Sequence, residues 1–410
     1  FHCSIRILLY LGCDSPHSQG ARRKDARVTQ VAGMWLSNPH TQKVLTSLSE
    51  SGHQALFVGG CVRNALLGVE VNDIDIATNA LPQDVIEITT NAGLHAIPTG
   101  IDHGTVTVIA NGIPHEITTF RKDILTDGRH AKVIFSNDIH DDARRRDFTM
   151  NALYAMPDGT VVDPLNGIQD LRDHRVRFIE DASQRIQEDY LRILRFFRFH
   201  AWYGDEAAGI DPEALHAISS NLGGIETLSR ERIGAEMLKL LAAMNPAPAL
   251  SSMRLSGALG CVLVGADDRA LAPMVHLEDE TDAGADSIRR LACLGGQGVS
   301  KALRLSKKQA KSLDLLRDQI GELTPPDEAG YRFGFETGLS IFLLRAALLE
   351  TPLPMDLELS LRRGANAEFP VKPADLMPDV QGVELGHTLR KLEAKWVKSG
   401  FKLDRNDLLA

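Results

Sequence analysis

Residues 55–78 read ALFVGGCVRNALLGVEVNDIDIAT and decide how the surrounding chain is interpreted. The first four residues are apolar, a run short enough for one buried strand. Gly59 and Gly60 follow at once, and the next residues carry apolar side chains at helical spacing until Gly68 ends the helix. The stretch therefore predicts a strand, a glycine turn, a short helix and then a second strand.

The glycine turn has the chemistry of an anion site. A glycine pair lets backbone N–H groups approach a ligand closely, and the N-terminus of a helix favours negative charge. Arg63, in the first turn of the predicted helix, adds charge-assisted donors for phosphate. We predict that Gly59, Gly60 and Arg63 hold a triphosphate; the alternative is a glycine pair that is only a turn.

Two carboxylates stand close together in the second predicted strand. Asp73 and Asp75 alternate with isoleucines, so a strand would put both carboxylates on one face. At a separation of roughly 7 Å and an effective dielectric of 20, they repel by roughly 2 kcal/mol. A cation between them would remove this cost, and hard carboxylate oxygens suit Mg²⁺. We predict a Mg²⁺ site at Asp73 and Asp75; the alternative is a solvated loop.

Residues 105–120, TVTVIANGIPHEITTF, supply a candidate third carboxylate. The segment alternates, is rich in β-branched residues, and contains Asn111-Gly112, a strong hairpin signal. Glu116 falls in the return strand. If this hairpin adjoins the aspartate strand, Glu116 joins the carboxylates of a two-metal site; otherwise it is an exposed strand residue. The polar residues 121–139 that follow predict a mobile loop.

Two later segments carry charged residues at informative spacing. Residues 141–151, DDARRRDFTMN, are either a solvated helix face or part of a binding site. Residues 187–200, QEDYLRILRFFRFH, predict one buried helix whose charged residues share a face. The plain interpretation is intrahelical ion pairs. The sharper one is that Asp189 and Arg192, an acceptor beside a donor, match the Watson–Crick edge of a base.

The composition of the chain limits the classes of protein to which it can belong. The chain has 410 residues, 43% hydrophobic and 24% charged, with a formal net charge of −9. Bulk charge therefore does not indicate nucleic-acid binding, and any such contact must come from local basic faces. Five scattered cysteines favour a reducing cytoplasm, and no apolar run is long enough to span a bilayer. Basic residues near Trp396 and Phe401 suggest an RNA-binding C-terminal part.

Taken in order over roughly residues 30–245, these motifs resemble the class II tRNA nucleotidyltransferase (CCA-adding enzyme) and bacterial poly(A) polymerase family. The resemblance implies an α+β fold. A small mixed-sheet, DNA polymerase β-like nucleotidyltransferase head at 28–165 would precede an all-helical neck at 166–245, a helical body at 246–326 and an RNA-binding helical tail at 327–410. We expect residues 1–27 to be a disordered leader.

The resemblance also assigns roles. Asp73, Asp75 and Glu116 would be catalytic, and Arg146 with Asp147 would hold the sugar and phosphates of the nucleotide. Asp189 and Arg192 would select CTP and then ATP without a nucleic-acid template. The family usually has Arg-Asp after the glycines, whereas this chain has Arg63-Asn64.

The implied activity is addition or repair of the 3′-terminal CCA of tRNA from CTP and ATP, with release of pyrophosphate. The expected partners are tRNA, CTP and ATP, the cofactor is Mg²⁺, and the compartment is the cytoplasm. We expect no membrane association and no obligate protein partner. Two alternatives stay open: a poly(A) polymerase, and a catalytically silent RNA-binding protein on the same scaffold.

Overall fold

The computed structural model describes residues 29–127, 130–377 and 379–410, so the predicted leader at 1–27 lies outside the described residues. Within them, the N-terminal third builds the strands and the remainder is helical. The strands are β1 (Ala55–Val58), β2 (Ile74–Thr78), β3 (His95–Gly100), β4 (Thr105–Ala110), β5 (Ile113–Thr119), β6 (Arg121–Asp127), β7 (His130–Phe135), β8 (Tyr154–Ala155) and β9 (Val161–Val162).

Most of these strands form one mixed sheet, in the order β3-β4-β5-β2-β1-β8-β9. The β2–β5 pair is parallel, and its neighbours pair antiparallel. β4 and β5 form the predicted hairpin, with Asn111 (φ 49°) and Gly112 (φ 79°) both left-handed at the turn. Such a turn needs positive φ at both central residues, which is why Asn-Gly signals it. The predicted mixed-sheet head is confirmed.

Helices cover one face of this sheet. Val44, Leu45 and Leu48 are fully buried there. A first short helix ends before Asn38, and a second begins at Pro39. The Asn38 side chain accepts a hydrogen bond from the His40 backbone, and proline has no N–H to continue the preceding helix. The helices of the head are α1 (Met34–Ser37), α2 (Pro39–Glu50), α3 (Gly60–Leu67), α4 (Pro82–Asn91) and α5 (Ile139–Arg144).

The loop predicted over residues 121–139 is instead largely a hairpin. β6 and β7 pair antiparallel in a separate two-stranded sheet, with Arg121 opposite Phe135. The Phe135 ring lies directly on Gly104, where a Cβ would come within 2.8 Å of a ring carbon. Polar composition therefore misled the prediction of a loop, because strand pairing rests on backbone hydrogen bonds that composition does not show.

From residue 166 onward the described chain is helical, which confirms the predicted helical remainder. Its helices are α6 (Gly167–Arg172), α7 (Ala182–Glu188), α8 (Leu191–Tyr203), α9 (Pro212–Ser220), α10 (Arg230–Leu241), α11 (Ala247–Leu255), α12 (Ala258–Val262), α13 (Leu271–Glu280), α14 (Ser287–Leu294), α15 (Val299–Ala302), α16 (Lys307–Ile320), α17 (Pro326–Phe333), α18 (Phe335–Leu349), α19 (Leu357–Ala365), α20 (Gly382–Lys398) and α21 (Arg405–Leu409). α18 packs against α13 and α16, so helices on both sides of residue 326 share a core. The predicted domain limits themselves stay predictions.

The C-terminal helices enclose a small core of their own. Trp396 is 3% exposed, and its ring packs among Tyr331, Phe369 and Phe401. The Trp396 ring is therefore used in packing, and RNA binding by the C-terminal part stays a prediction. The basic side chains around it are exposed: Arg390, Lys391, Lys395, Lys398, Lys402 and Arg405. In the described part of the chain, every helix is too short or too polar to cross a lipid bilayer.

Candidate active site

Two of the three predicted catalytic carboxylates are directly opposed in the sheet. Asp75 in β2 and Glu116 in β5 are paired across the parallel strands, so their side chains project from the same face. Asp73 lies one residue before β2 begins and is exposed, so only Asp75 of the aspartate pair belongs to the strand. Partial burial, followed by the charges of Glu116 and Asp73, raises the pKa of Asp75 to about 6. The site thus concentrates negative charge that a bound cation would relieve.

The glycine turn lies at the same end of the sheet. β1 runs antiparallel to β2, with Phe57 opposite Ile76, so the turn after β1 comes beside the start of β2 and Asp73. Gly59 has φ 72° and ψ −120°, a conformation that a side chain strongly disfavours. A Cβ there would lie 3.4 Å from Nη1 of Arg146. Gly60 is the first residue of α3, where free N–H groups are found.

Arg146 is held at this turn by a buried acid. Asp142 is fully buried and accepts hydrogen bonds from Arg146 Nη2 at 3.0 Å, Arg145 Nε at 2.8 Å and the Tyr154 hydroxyl at 2.7 Å. Burial by itself raises the pKa of Asp142, but Arg146 and Arg145 outweigh it and hold the pKa at about 2. The carboxylate therefore stays charged and orients both arginines. Asp142 and Tyr154 were missed in the sequence, where an aspartate before three arginines resembled any solvated helix face.

The Arg63 guanidinium lies beside the glycine turn, where a Cβ at Gly60 would be 3.8 Å from Arg63 Nη2, but its donors are used by protein partners. Its guanidinium is buried, donates to Asn151 Oδ1 and to the Tyr203 hydroxyl at 2.8 Å each, and lies 4.1 Å from the centre of the Tyr203 ring. Burial lowers its pKa. Asn64, which replaces the aspartate usual in the resembling family, accepts from Arg63 Nη2 at 2.9 Å. Arg63 therefore ties α3 to α8, and its predicted contact with a triphosphate stays a prediction.

Asp147 connects the head to the neck. It is 6% exposed and accepts from Arg195 of α8 through Nε at 2.7 Å and through Nη2. Burial raises the pKa of Asp147, but the charge and hydrogen bonds of Arg195 reverse this and hold the pKa at about 2. Arg195 also lies 3.9 Å from Glu236 of α10. Contact of Asp147 with a ribose stays a prediction, since its described contacts are with protein.

The helix predicted over residues 187–200 is broken. α7 ends at Glu188 and α8 begins at Leu191, with Asp189 extended at φ −152° and ψ 104°. The Asp189 carboxylate accepts from the backbone N–H of Leu191, the first residue of α8, at 3.1 Å, so Asp189 does not continue α7. Residues 188–192 consequently form a corner between α7 and α8. The prediction that the charged residues share one face of a continuous helix was wrong.

The corner is held by residues from three elements. Asp189 pairs with Arg232 of α10 at 2.5 Å, each side chain being 24% exposed. Arg192 donates to Glu188 Oε2 at 2.5 Å and, through Nη2, to the carbonyl of Arg145 at 2.9 Å. The structure thus brings Asp189 and Arg192 to one corner beside the 145–147 segment. Arg232 was not predicted as part of this site, because it lies 43 positions from Asp189 and no local pattern links the two.

The carboxylates do not by themselves form a complete metal cage. Across residues 29–127, 130–377 and 379–410, no three His, Cys, Asp or Glu side chains converge as ligands for one ion. Asp75 and Glu116 nevertheless form a hard, negatively charged donor set. Such a set fits Mg²⁺, which commonly takes one or two protein carboxylates and completes its shell with water and substrate phosphates.

Comparisons with known proteins agree with this geometry. Residues 55–177 match the family described as Poly A polymerase head domain, and residues 209–266 match the one described as Probable RNA and SrmB-binding site of polymerase A. The mitochondrial CCA tRNA nucleotidyltransferase 1 of Danio rerio is 33% identical over 376 residues, 86% of this chain and 86% of its own. The chain belongs to the CCA tRNA nucleotidyltransferase family. The resemblance stated from its motifs is confirmed.

Two further relatives of the CCA tRNA nucleotidyltransferase family define how far the likeness extends. The mitochondrial CCA tRNA nucleotidyltransferase 1 of Homo sapiens is 45% identical over 217 residues, 51% of this chain; the chain spans about half of its length. The solved CCA-adding enzyme of Bacillus stearothermophilus in complex with CTP is similar at a TM-score of 0.70 and 29% identity. That likeness covers 88% of this chain and 92% of the solved one.

Proposed function

We propose that this chain adds or repairs the 3′-terminal CCA of tRNA, using CTP and ATP and releasing pyrophosphate. Membership in the CCA tRNA nucleotidyltransferase family supports this activity. The single observation that carries it is the pairing of Asp75 with Glu116 at the sheet end that also bears the Gly59-Gly60 turn. Carboxylates beside an anion-binding turn are what transfer of a nucleotidyl group to a hydroxyl requires.

Asp73 and Asp75 would hold Mg²⁺, with Glu116 beside them. When bound, Mg²⁺ polarises the reacting phosphate and stabilises the departing pyrophosphate. The chain's own groups orient the nucleotide: the N–H groups at Gly60 face the phosphates, and Arg146 adds positive charge. The raised pKa of Asp75 reflects partial burial and the neighbouring charges of Glu116 and Asp73, a strain that a bound cation would relieve.

Selection between bases falls to the corner at residues 188–192. The carboxylate of Asp189 offers acceptors and the guanidinium of Arg192 offers donors, the combination that reads a Watson–Crick edge. Arg232 orients the Asp189 side chain through their ion pair. Because both groups belong to the protein, the choice of base needs no template strand.

The deciding experiment supplies purified protein with a tRNA that lacks its 3′ end, Mg²⁺, and CTP, ATP or both. We expect two C residues from CTP alone, and one terminal A only when both nucleotides are present. An Asp75→Ala variant should incorporate nothing while remaining folded. Absence of incorporation by the unaltered protein across pH and metal concentration would instead support a silent RNA-binding protein.

Poly(A) polymerase is the second candidate because the head matches a family of that description. A long A tail made from ATP alone in the same assay would establish it. The cytoplasmic location expected from the cysteine content also stays a proposal. The relatives from Danio rerio and Homo sapiens are named as mitochondrial proteins. Cell fractionation should therefore measure this protein in both the cytoplasm and the mitochondria.

A further inference from the structure

Arg185 lies just outside the segment from which sequence reasoning drew its base-reading pair. It belongs to α7, three residues before Glu188, and its side chain is only 11% exposed. Its Nη2 pairs with Glu188 Oε1, and its Nη1 donates to the backbone carbonyl of Arg144 at 2.7 Å. One guanidinium therefore joins the neck to the head segment that leads into Arg146.

Glu188 connects Arg185 to Arg192, the residue predicted to read the base. Its second oxygen accepts from Arg192 Nη1 at 2.5 Å, and the same nitrogen donates to the carbonyl of Arg185 at 2.6 Å. Arg185, Glu188 and Arg192 thus form a closed ring of contacts. The side chains of Glu188 and Arg192 are 16% and 10% exposed, so water competes little for these bonds.

The ring leaves Arg192 with defined donors. Its Nη1 is used by Glu188 and Arg185, and its Nη2 donates to the carbonyl of Arg145 at 2.9 Å. A guanidinium has five N–H donors. Among the described residues, the Nε–H of Arg192 has no protein partner, so the edge bearing Nε is the one available to a ligand.

We propose that Arg185 is a positioning residue for nucleotide selection: by holding Glu188 against the head at Arg144, it fixes which edge of Arg192 faces the base. This inference rests on the proposed function. An arginine free to rotate about its side chain could present either of two donor edges, and could then pair with more than one base. The ring removes that freedom before the nucleotide arrives.

The test uses the full chain with Arg185→Met, which removes the charge and both hydrogen bonds but keeps an unbranched side chain. Arg175→Met is the matched control, since the Arg175 side chain is also in the neck, is 55% exposed and lies 3.9 Å from Asp211. For each protein, kcat/KM is measured for CTP and for UTP on tRNA lacking its 3′ end. Melting temperature is measured in parallel.

We expect Arg185→Met to reduce the preference for CTP over UTP by at least about tenfold, the scale of one bidentate base contact. Arg175→Met should leave the preference unchanged. Arg185→Lys keeps a charge beside Glu188 without the planar fork, so its preference should be intermediate. If Arg185→Met does not fold, the lysine variant decides in the same way.

An equal fall in kcat/KM for CTP and UTP, or an unchanged preference, would overturn the proposal and leave Arg185 a structural residue. Failure of the unaltered protein to incorporate C is a separate outcome, because it rejects the proposed function itself. The two failures are distinguished by the unaltered protein alone. Its activity is measured before any variant is compared.

Discussion

Replacing Asp147 with asparagine tests how much the head–neck junction depends on one buried charge. The substitution keeps the shape of the side chain but removes the charge that pairs with Arg195. The pKa of Asp147 is held at about 2, against an ordinary value of 3.8. This depression corresponds to about 2 kcal/mol of folding free energy at neutral pH. The loss of stability should not exceed this value, because Arg195 still has the carboxylate of Glu236 at 3.9 Å.

The sign of the pH dependence follows from the lowered pKa. A carboxylate whose pKa is lower in the folded state makes its full contribution to folding free energy at pH values above its unfolded pKa. This contribution is lost as the pH falls towards the folded pKa. The difference between the unaltered protein and Asp147→Asn should therefore be constant at pH 5–8 and fall to about half near pH 3. Urea unfolding at several pH values measures it without adding salt that would screen the pair.

Asp267→Asn is the matched control. The pKa of Asp267 is also held at about 2, by hydrogen bonds from Arg269, but this pair is exposed, with 83% of the arginine side chain accessible. Solvent screening makes exposed pairs contribute little, so this variant should lose much less stability than Asp147→Asn. Equal losses for the two variants, or a loss at Asp147 that does not change with pH, would refute the argument from burial.

Three further predictions concern the active site and the helical body. Asp75→Asn should lower nucleotide incorporation by at least about a hundredfold, because it removes a proposed metal ligand. It should leave the melting temperature unchanged or higher, because it also removes the repulsion with Glu116. A lower melting temperature would contradict this. Gly59→Ala should destabilise the head by about 1–3 kcal/mol in urea unfolding, since φ 72° with ψ −120° is strained for any side chain; a neutral effect would show that the turn relaxes. Glu278→Gln should cost about 3–5 kcal/mol of unfolding free energy, because two nearly fully buried arginines share this carboxylate. Glu358→Gln, in an exposed ion pair, should cost only about 0.5 kcal/mol, and similar losses for both glutamates would disprove the role of burial.

Local chemistry was readable wherever a few neighbouring residues determine the backbone. The Asn111-Gly112 turn needs two positive φ angles, and few other residue pairs provide them. Gly59 is required by its own φ and ψ, and Ser229 caps α10 through its own side chain. A short run of apolar residues likewise predicted the strand at residues 55–58. These features could be predicted because each depends on contacts within a few positions of the chain.

Errors arose where the deciding contact came from elsewhere. The break at Asp189 is stabilised by Arg232, which lies 43 positions away, and no local pattern separates such a corner from a continuous helix. The segment after Phe120 was predicted as a loop because its polar residues conceal a hairpin.

The sequence alone specified the candidate site groups: the glycine turn, the three carboxylates and the arginines are visible as residue types at fixed spacing. Their directions required the tertiary structure. Arg63 lies near Gly60 but donates to Tyr203 and Asn151, and Arg192 is held by a carbonyl of the head. The physical reason is that a guanidinium extends several bonds from its backbone. Its orientation is set by whichever acceptors the fold brings within reach, not by its neighbours in the chain.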